Sequence, residues 1–205
     1  MKNEMATVMV VDDDAGMRNA MRSLLKSVGL PCTLFASAQE FLASYQPSQQ
    51  GCLVLDIRMP GMSGLELQQQ LNMRGAVIPV IFMSGHADIP MAVEAMQHGA
   101  FDFLQKPFRD QELLDRVHRA LARDMDNRAR LRHTDRIRER LATLSPRERE
   151  VLDLVTQGKA NKMVAGDLGV SQRTVEIHRA HVMQKMEAGS LAELVRMMMA
   201  VAPRQ

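Results

Sequence analysis

The first half of this chain alternates five short apolar runs with segments of helical periodicity, and that alternation limits the possible folds more than any other feature. The runs are TVMVV (7–11), CTLFA (32–36), CLVL (52–55), PVIFM (79–83) and FDFL (101–104), and the helical patterns begin near Ala15, Ser37, Ser63, Ile89 and Asp110. Apolar runs this short, without alternation, belong in strands buried on both faces. A parallel sheet with helices on each side buries them in that way. Ser37 with Glu40 and Ser63 with Glu66 fit the capping box, and Gly29, Gly75 and Gly99 fall where helices stop.

The second half is helical throughout. From Asp110 the chain becomes highly charged, and its apolar residues, Leu114 to Leu141, recur without an unbroken heptad. A solvated linker helix over 123–140 therefore fits better than a coiled-coil seam. A new module, 141–205, opens at LSPRERE. There Ser145 is placed to cap a helix, Pro146 fits its first position and Glu148 completes a capping box. Gly158 and Gly169 punctuate the next helices, Ser171 caps QRTVEIHRAHVMQKM, and LAELVRMMMAV follows. Met197 to Met199 read as core filler or a dimer contact.

Composition narrows the class. A 46% hydrophobic content supplies real cores rather than disorder. No apolar run approaches the ~18–20 residues of a membrane span, and the N-terminus lacks a signal-peptide pattern, so a cytoplasmic location is expected. Cys32 and Cys52 lie in strand-like runs and read as small buried hydrophobes. Residues 1–120 carry 10 Lys and Arg against 13 Asp and Glu, net −3, whereas 121–205 carry 16 against 11, net +5. The basic half is compatible with nucleic acid.

In an open parallel sheet, ligands bind beyond the carboxyl ends of the strands. Asp12, Asp13 and Asp14 follow the first run, Asp56 the third, Ser84 the fourth, and Lys106 and Pro107 the fifth. Crowded carboxylates repel unless a cation sits among them, and hard oxygen donors favour Mg²⁺. A lysine and a hydroxyl facing a metal-bound carboxylate hold phosphoryl oxygens while that carboxylate attacks phosphorus, which makes Asp56 a nucleophile.

The motifs VVDDD, LVLDIRMPGMSG, FMSGHAD and FDFLQKPF, in this order, resemble the receiver domain of two-component response regulators over residues 5–122. The resemblance implies a flavodoxin-like, doubly wound five-stranded parallel sheet of order 2-1-3-4-5. It also implies that Asp56 is the phosphoacceptor, and that Asp12 and Asp13 form the acidic pair, with Asp13 a direct Mg²⁺ ligand. The main-chain carbonyl of Arg58 would be a further ligand. Ser84 would be the switch hydroxyl, Lys106 the phosphoryl-binding lysine, Phe103 the aromatic switch, and the Lys106–Pro107 bond cis. Gly61 and Gly64 read as tight-turn residues of the loop after Asp56.

The segment LSPREREVLDLVTQGKANKMVAGDLGVSQRTVEIHRAHVMQKM resembles the LuxR-type helix-turn-helix domain over roughly 140–202. By that resemblance Val170 to Met186 enters the major groove. Gln172, Arg173, Glu176 and Arg179 are then candidates at or near the bases, and Lys162, Thr174, His178 and Lys185 are candidate backbone contacts. Together the two halves resemble the NarL/FixJ subfamily. A member takes a phosphoryl group from a sensor histidine kinase, dimerises through the face of the fourth helix, fifth strand and fifth helix, and binds promoter DNA. It is not an enzyme. A metal-dependent phosphatase is the alternative, but such enzymes carry an acid two residues after the nucleophile, where this chain has Arg58. A regulator that binds DNA without phosphorylation is the other.

Overall fold

β3 (Gly51–Asp56) is buried at every residue, and the first unit of the protein is assembled around it. The structure is a computed structural model that describes residues 6–85 and 89–202; His86 to Asp88, within the FMSGHAD motif, lie outside them. The chain forms two units, one closing at Arg128 and the other beginning at Ala129.

In the first unit, β1 (Thr7–Val11), β2 (Cys32–Phe35), β3, β4 (Val80–Ser84) and β5 (Asp102–Gln105) form one parallel sheet in the order β2-β1-β3-β4-β5. This is the doubly wound sheet expected. Successive strand residues point to opposite faces. Met9, Val11, Leu53, Leu55 and Phe82 pack with Phe41 of α2 (Ala38–Ser44), Leu67 and Leu71 of α3 (Gly64–Met73) and Ala95 of α4 (Ile89–Gln97). Val8, Val10, Cys52, Val54, Ile81 and Met83 pack with Met21 and Leu25 of α1 (Ala15–Ser27) and Leu113 and Val117 of α5 (Asp110–Ala142). Each Val, Leu, Ile, Phe or Met among them, fully buried, contributes about 1.5–3 kcal/mol, which holds the strand ends rigidly. Burial pushes the Cys52 thiol up to about 12, so it behaves as a hydrophobe.

The caps explain the helix starts. Asp14, third of the acidic trio, is the N-cap of α1 and accepts from the Gly16 and Met17 amides. Ser63 and Glu66 form the reciprocal capping box of α3. At α2 only half of the box forms. Ser37 accepts from the Glu40 amide, but the Glu40 carboxylate accepts from Ala36 N at 2.6 Å instead.

α5 runs unbroken for 33 residues. Inside the stretch expected to be linker, Asp124 and Arg128 are nearly inaccessible to solvent and belong to the first unit. Asp124 Oδ2 accepts from Gly51 N at 2.9 Å and from Arg128 Nε at 2.7 Å. Arg128 donates further to the carbonyls of Pro47 (3.0 Å), Ser48 (3.2 Å) and Gln49. Glycine is required at 51 because a Cβ there would stand 1.8 Å from the Thr7 carbonyl oxygen. No described helix is long and apolar enough to cross a membrane.

In the second unit, Ile137 and Leu141 from the end of α5 join a core drawn from α6 (Pro146–Thr156), α7 (Asn161–Leu168), α8 (Gln172–Lys185) and α9 (Leu191–Val201). Val151, Leu152, Val164, Val175, Val182, Met186 and Leu194 are its buried centre. Ser145 and Glu148 make the expected capping box, with Pro146 in the first turn. Of the methionine run, Met197 is buried and Met199 is 73% exposed.

Arg128→Met leaves Asp124 buried without its cation, and removing one member of a buried pair costs about 3–5 kcal/mol. Calorimetry of the full chain is expected to show the first unit melting at a clearly lower temperature, with the second unit unchanged.

Candidate functional site

Three strand ends meet at one lysine. Lys106, just past β5, donates to Asp12 Oδ2, just past β1, and to Asp56 Oδ1, at the end of β3, each at 2.8 Å. Asp12 is 1% exposed and also accepts from Asp14 N at 2.9 Å, while its carbonyl accepts from Arg18 Nη1 at 2.6 Å. The second oxygen of Asp56 accepts from Arg58 N at 3.1 Å. Ser84, at the end of β4, is buried, and its carbonyl accepts from Lys106 N at 2.7 Å. The Lys106–Pro107 bond is cis. Asp13 is exposed beside the group. Phe103 is half-buried, packed against the core that α2, α3 and α4 cover.

The loop after Asp56 folds back on the site. Gly64 N donates to the Ile57 carbonyl at 2.9 Å, and a Cβ on Gly64 would lie 2.3 Å from the Asp56 carbonyl oxygen. Gly64 thus serves close approach rather than turn geometry; Gly61, with φ +81°, is the turn residue.

Burial raises the Asp56 pKa above its ordinary value, against the hydrogen bond and charge of Lys106, and the Asp12 charge adds to the rise. Burial alone would pull Lys106 down, but its bonds to Asp12 and Asp56 lift it above its ordinary value. Three carboxylates against one ammonium leave an excess of two negative charges, which a divalent cation would balance. The described residues contain no group of three or more His, Cys, Asp or Glu side chains close enough to hold a metal. The donors present are nonetheless all hard oxygens of the kind Mg²⁺ takes.

The second unit carries a polar helix face. Gln172, Arg173 and Glu176 of α8 are exposed, and Gln172 Nε2 donates to Glu176 Oε1 at 3.1 Å. Arg179 Nη1 donates to Asn161 Oδ1 at 2.9 Å, tying α8 to the start of α7. The Thr174 hydroxyl lies 2.8 Å from that of Ser171 in the cap of α8. Lys162 is exposed, and His178 is half-buried with its Nδ1 inaccessible to solvent and unpartnered. Lys185 donates to Glu148 Oε2 at 2.7 Å and to the Thr143 carbonyl at 3.3 Å. Sequence reasoning missed Ile177, 50% exposed amid these polar groups, and Asn161. Ile177 had a signal: it stands off the Val175–Val182–Met186 stripe.

A carboxylate-lysine pocket at the carboxyl edge of a 2-1-3-4-5 sheet, joined to a helix-turn-helix unit, defines a two-component response regulator with a DNA-binding output domain. Family models agree, matching a response regulator receiver domain at residues 8–118 and the luxR family of bacterial regulatory proteins at 142–198. The chain belongs to the response regulators of the NarL/FixJ subfamily. It is 52% identical to Nodulation protein W of Bradyrhizobium diazoefficiens, over 94% of this chain and 85% of that one. It is 50% identical to the transcriptional regulatory protein FixJ of Azorhizobium caulinodans, over 95% and 92%. Among solved structures, the response regulator StyR superposes with a TM-score of 0.82 at 45% identity, over 95% of this chain and 98% of that one.

Two outcomes follow from the electrostatics. Asp56 has its folded-state pKa raised, so its ionisation opposes folding above the carboxylate range. Asp56→Asn is therefore expected to raise the melting temperature of the first unit by a few degrees at neutral pH. That gain disappears on acidification, where Asp56 is protonated folded or unfolded. Glu148 is the opposite case. Its hydrogen bond from Lys185, then that from Ser145 N, lowers its pKa from 4.5 to about 2. The stability it contributes is complete above 4.5 and is lost as the pH falls towards 2. Acid titration of the second unit, followed by circular dichroism, is expected to lose that component in Glu148→Gln.

Proposed function

We propose that this protein carries a phosphorylation signal from a sensor histidine kinase to promoter DNA. The observation behind this reading is the bridge from Lys106 to both Asp12 and Asp56, which aims a buried carboxylate at the open edge of the sheet. Asp56 Oδ attacks the phosphorus of a phosphohistidine; the new O–P bond forms as the N–P bond breaks, and the imidazole leaves. Lys106 holds one equatorial phosphoryl oxygen, and the Ser84 hydroxyl turns to another. Asp12, Asp13, Asp56 and the Arg58 carbonyl would hold Mg²⁺, which neutralises charge on the phosphoryl group when bound. Phe103 then moves inward into the space Ser84 leaves. This remodels the face of α4, β5 and α5, where Val93 and Met96 are 49% and 47% exposed and supply apolar surface for a dimer.

The dimer places two copies of α8 in successive major grooves. Arg173 and Arg179 take guanine or phosphate, Glu176 accepts from cytosine, Gln172 reads an adjacent base edge, and Ile177 meets a thymine methyl. Lys162, Thr174 and His178 contact the backbone. The protein acts in the cytoplasm and is a regulator rather than an enzyme: Arg58 stands where a phosphatase would place its second acid.

Incubation with Mg²⁺ and a small phosphodonor is expected to add one phosphoryl group by intact mass, and Asp56→Asn to abolish the gain. A gain that persists in the variant sinks the reading. On a duplex selected from a random library, Arg173→Ala is expected to cost about 1–3 kcal/mol by fluorescence anisotropy and to relax specificity at one position of each half-site.

A further inference from the structure

Glu148 is 4% exposed and lies beneath the last two turns of α8. Its Oε2 accepts from Ser145 N at 2.8 Å and from Lys185 Nζ at 2.7 Å. Its Oε1 faces His181 Nδ1 at 3.7 Å, too long for a hydrogen bond but within ion-pair range. His181, one turn before Lys185, has a side chain 53% exposed on the polar side of α8.

Lys185 and His181 therefore stand differently towards a nucleic acid. Detaching Lys185 to reach a phosphate would strip a buried carboxylate of its cation. Lys185 itself is 39% exposed, but the Glu148 side chain it would leave is 5% exposed, and a buried carboxylate without its cation costs more than one exposed phosphate contact returns. His181 gives up nothing. With Nδ1 turned to the carboxylate, Nε2 is on the far edge of a ring that is half exposed, and a carboxylate behind an imidazole fixes its orientation while the other nitrogen meets an anion.

We propose that His181, oriented by Glu148, is a phosphate-backbone contact of the DNA interface, and that Lys185 is a strut between α8 and α6 rather than a contact. Glu148 is a positioning residue, and its two oxygens separate the two roles. This inference rests on the DNA-binding reading above and sets His181 in place of Lys185, which the sequence offers as a backbone contact.

The test is the salt dependence of duplex binding by the full chain, treated with Mg²⁺ and phosphodonor, at a pH of about 6. Removing one cationic side chain from a DNA phosphate lowers the slope of log K against log salt by about 0.9 in magnitude. His181→Gln is expected to lower the slope by that amount per half-site and to leave the melting temperature unchanged. Lys185→Met is expected to keep the slope and lower the melting temperature. Should it fail to fold, Lys185→Arg, which retains the strut, is expected to keep both, and the exposed His181→Gln decides the matter alone. In Glu148→Gln/Lys185→Met, where no freed ammonium remains, the slope is expected to match that of His181→Gln; a purely structural Glu148 would leave it at the wild-type value. A slope unmoved by His181→Gln overturns the proposal, and so does a slope that falls in Lys185→Met. If the unaltered chain binds no duplex at any salt, the DNA-binding reading itself fails, which is a different result.

Discussion

The first unit depends on one ammonium group held between two carboxylates. Lys106 joins the ends of β1, β3 and β5, strands that share a sheet but lie far apart in sequence. Without that cation, Asp12 and Asp56 would be two like charges pressed together out of water, and the sheet would be forced apart at this edge. With it, the charges are tolerable but incompletely balanced. The shortfall is one that a divalent cation would offset, and burial, with the Asp12 charge adding to it, explains why Asp56 ionises reluctantly.

Much of this was legible in the chain because the signals were local and repeated. Apolar runs at regular spacing define strands, and a strand buried on both faces has a single direction in which its terminal charge can point. The positions of Asp12, Asp56, Ser84 and Lys106 at strand ends followed from that. Gly64 was harder. It read as a turn residue because glycine before a helix usually is one, but what matters is the Asp56 backbone packed against its missing side chain, a contact between segments that no sequence pattern records.

The charged face of α8 was legible as a face, yet not as individual roles. Spacing places Lys185 among its cations, but whether a lysine is available depends on what lies under the helix, and here that is the carboxylate of Glu148. The clasp of Asp124 and Arg128 was missed for a related reason. Both residues sit in a run so rich in charge that nothing distinguishes the buried pair from its solvated neighbours. Only Gly51 and the loop at 47–49, more than seventy residues earlier, give them their partners.

That clasp has a mechanical meaning. β3 is gripped at its start by Asp124, through the amide of Gly51, and at its finish by Lys106, through the carboxylate of Asp56. A rod pinned at both ends cannot slide along its own axis. Whatever happens at Asp56 is therefore delivered sideways, across the ladder to β4 and β5, where the neighbouring strands end in Ser84 and carry Phe103.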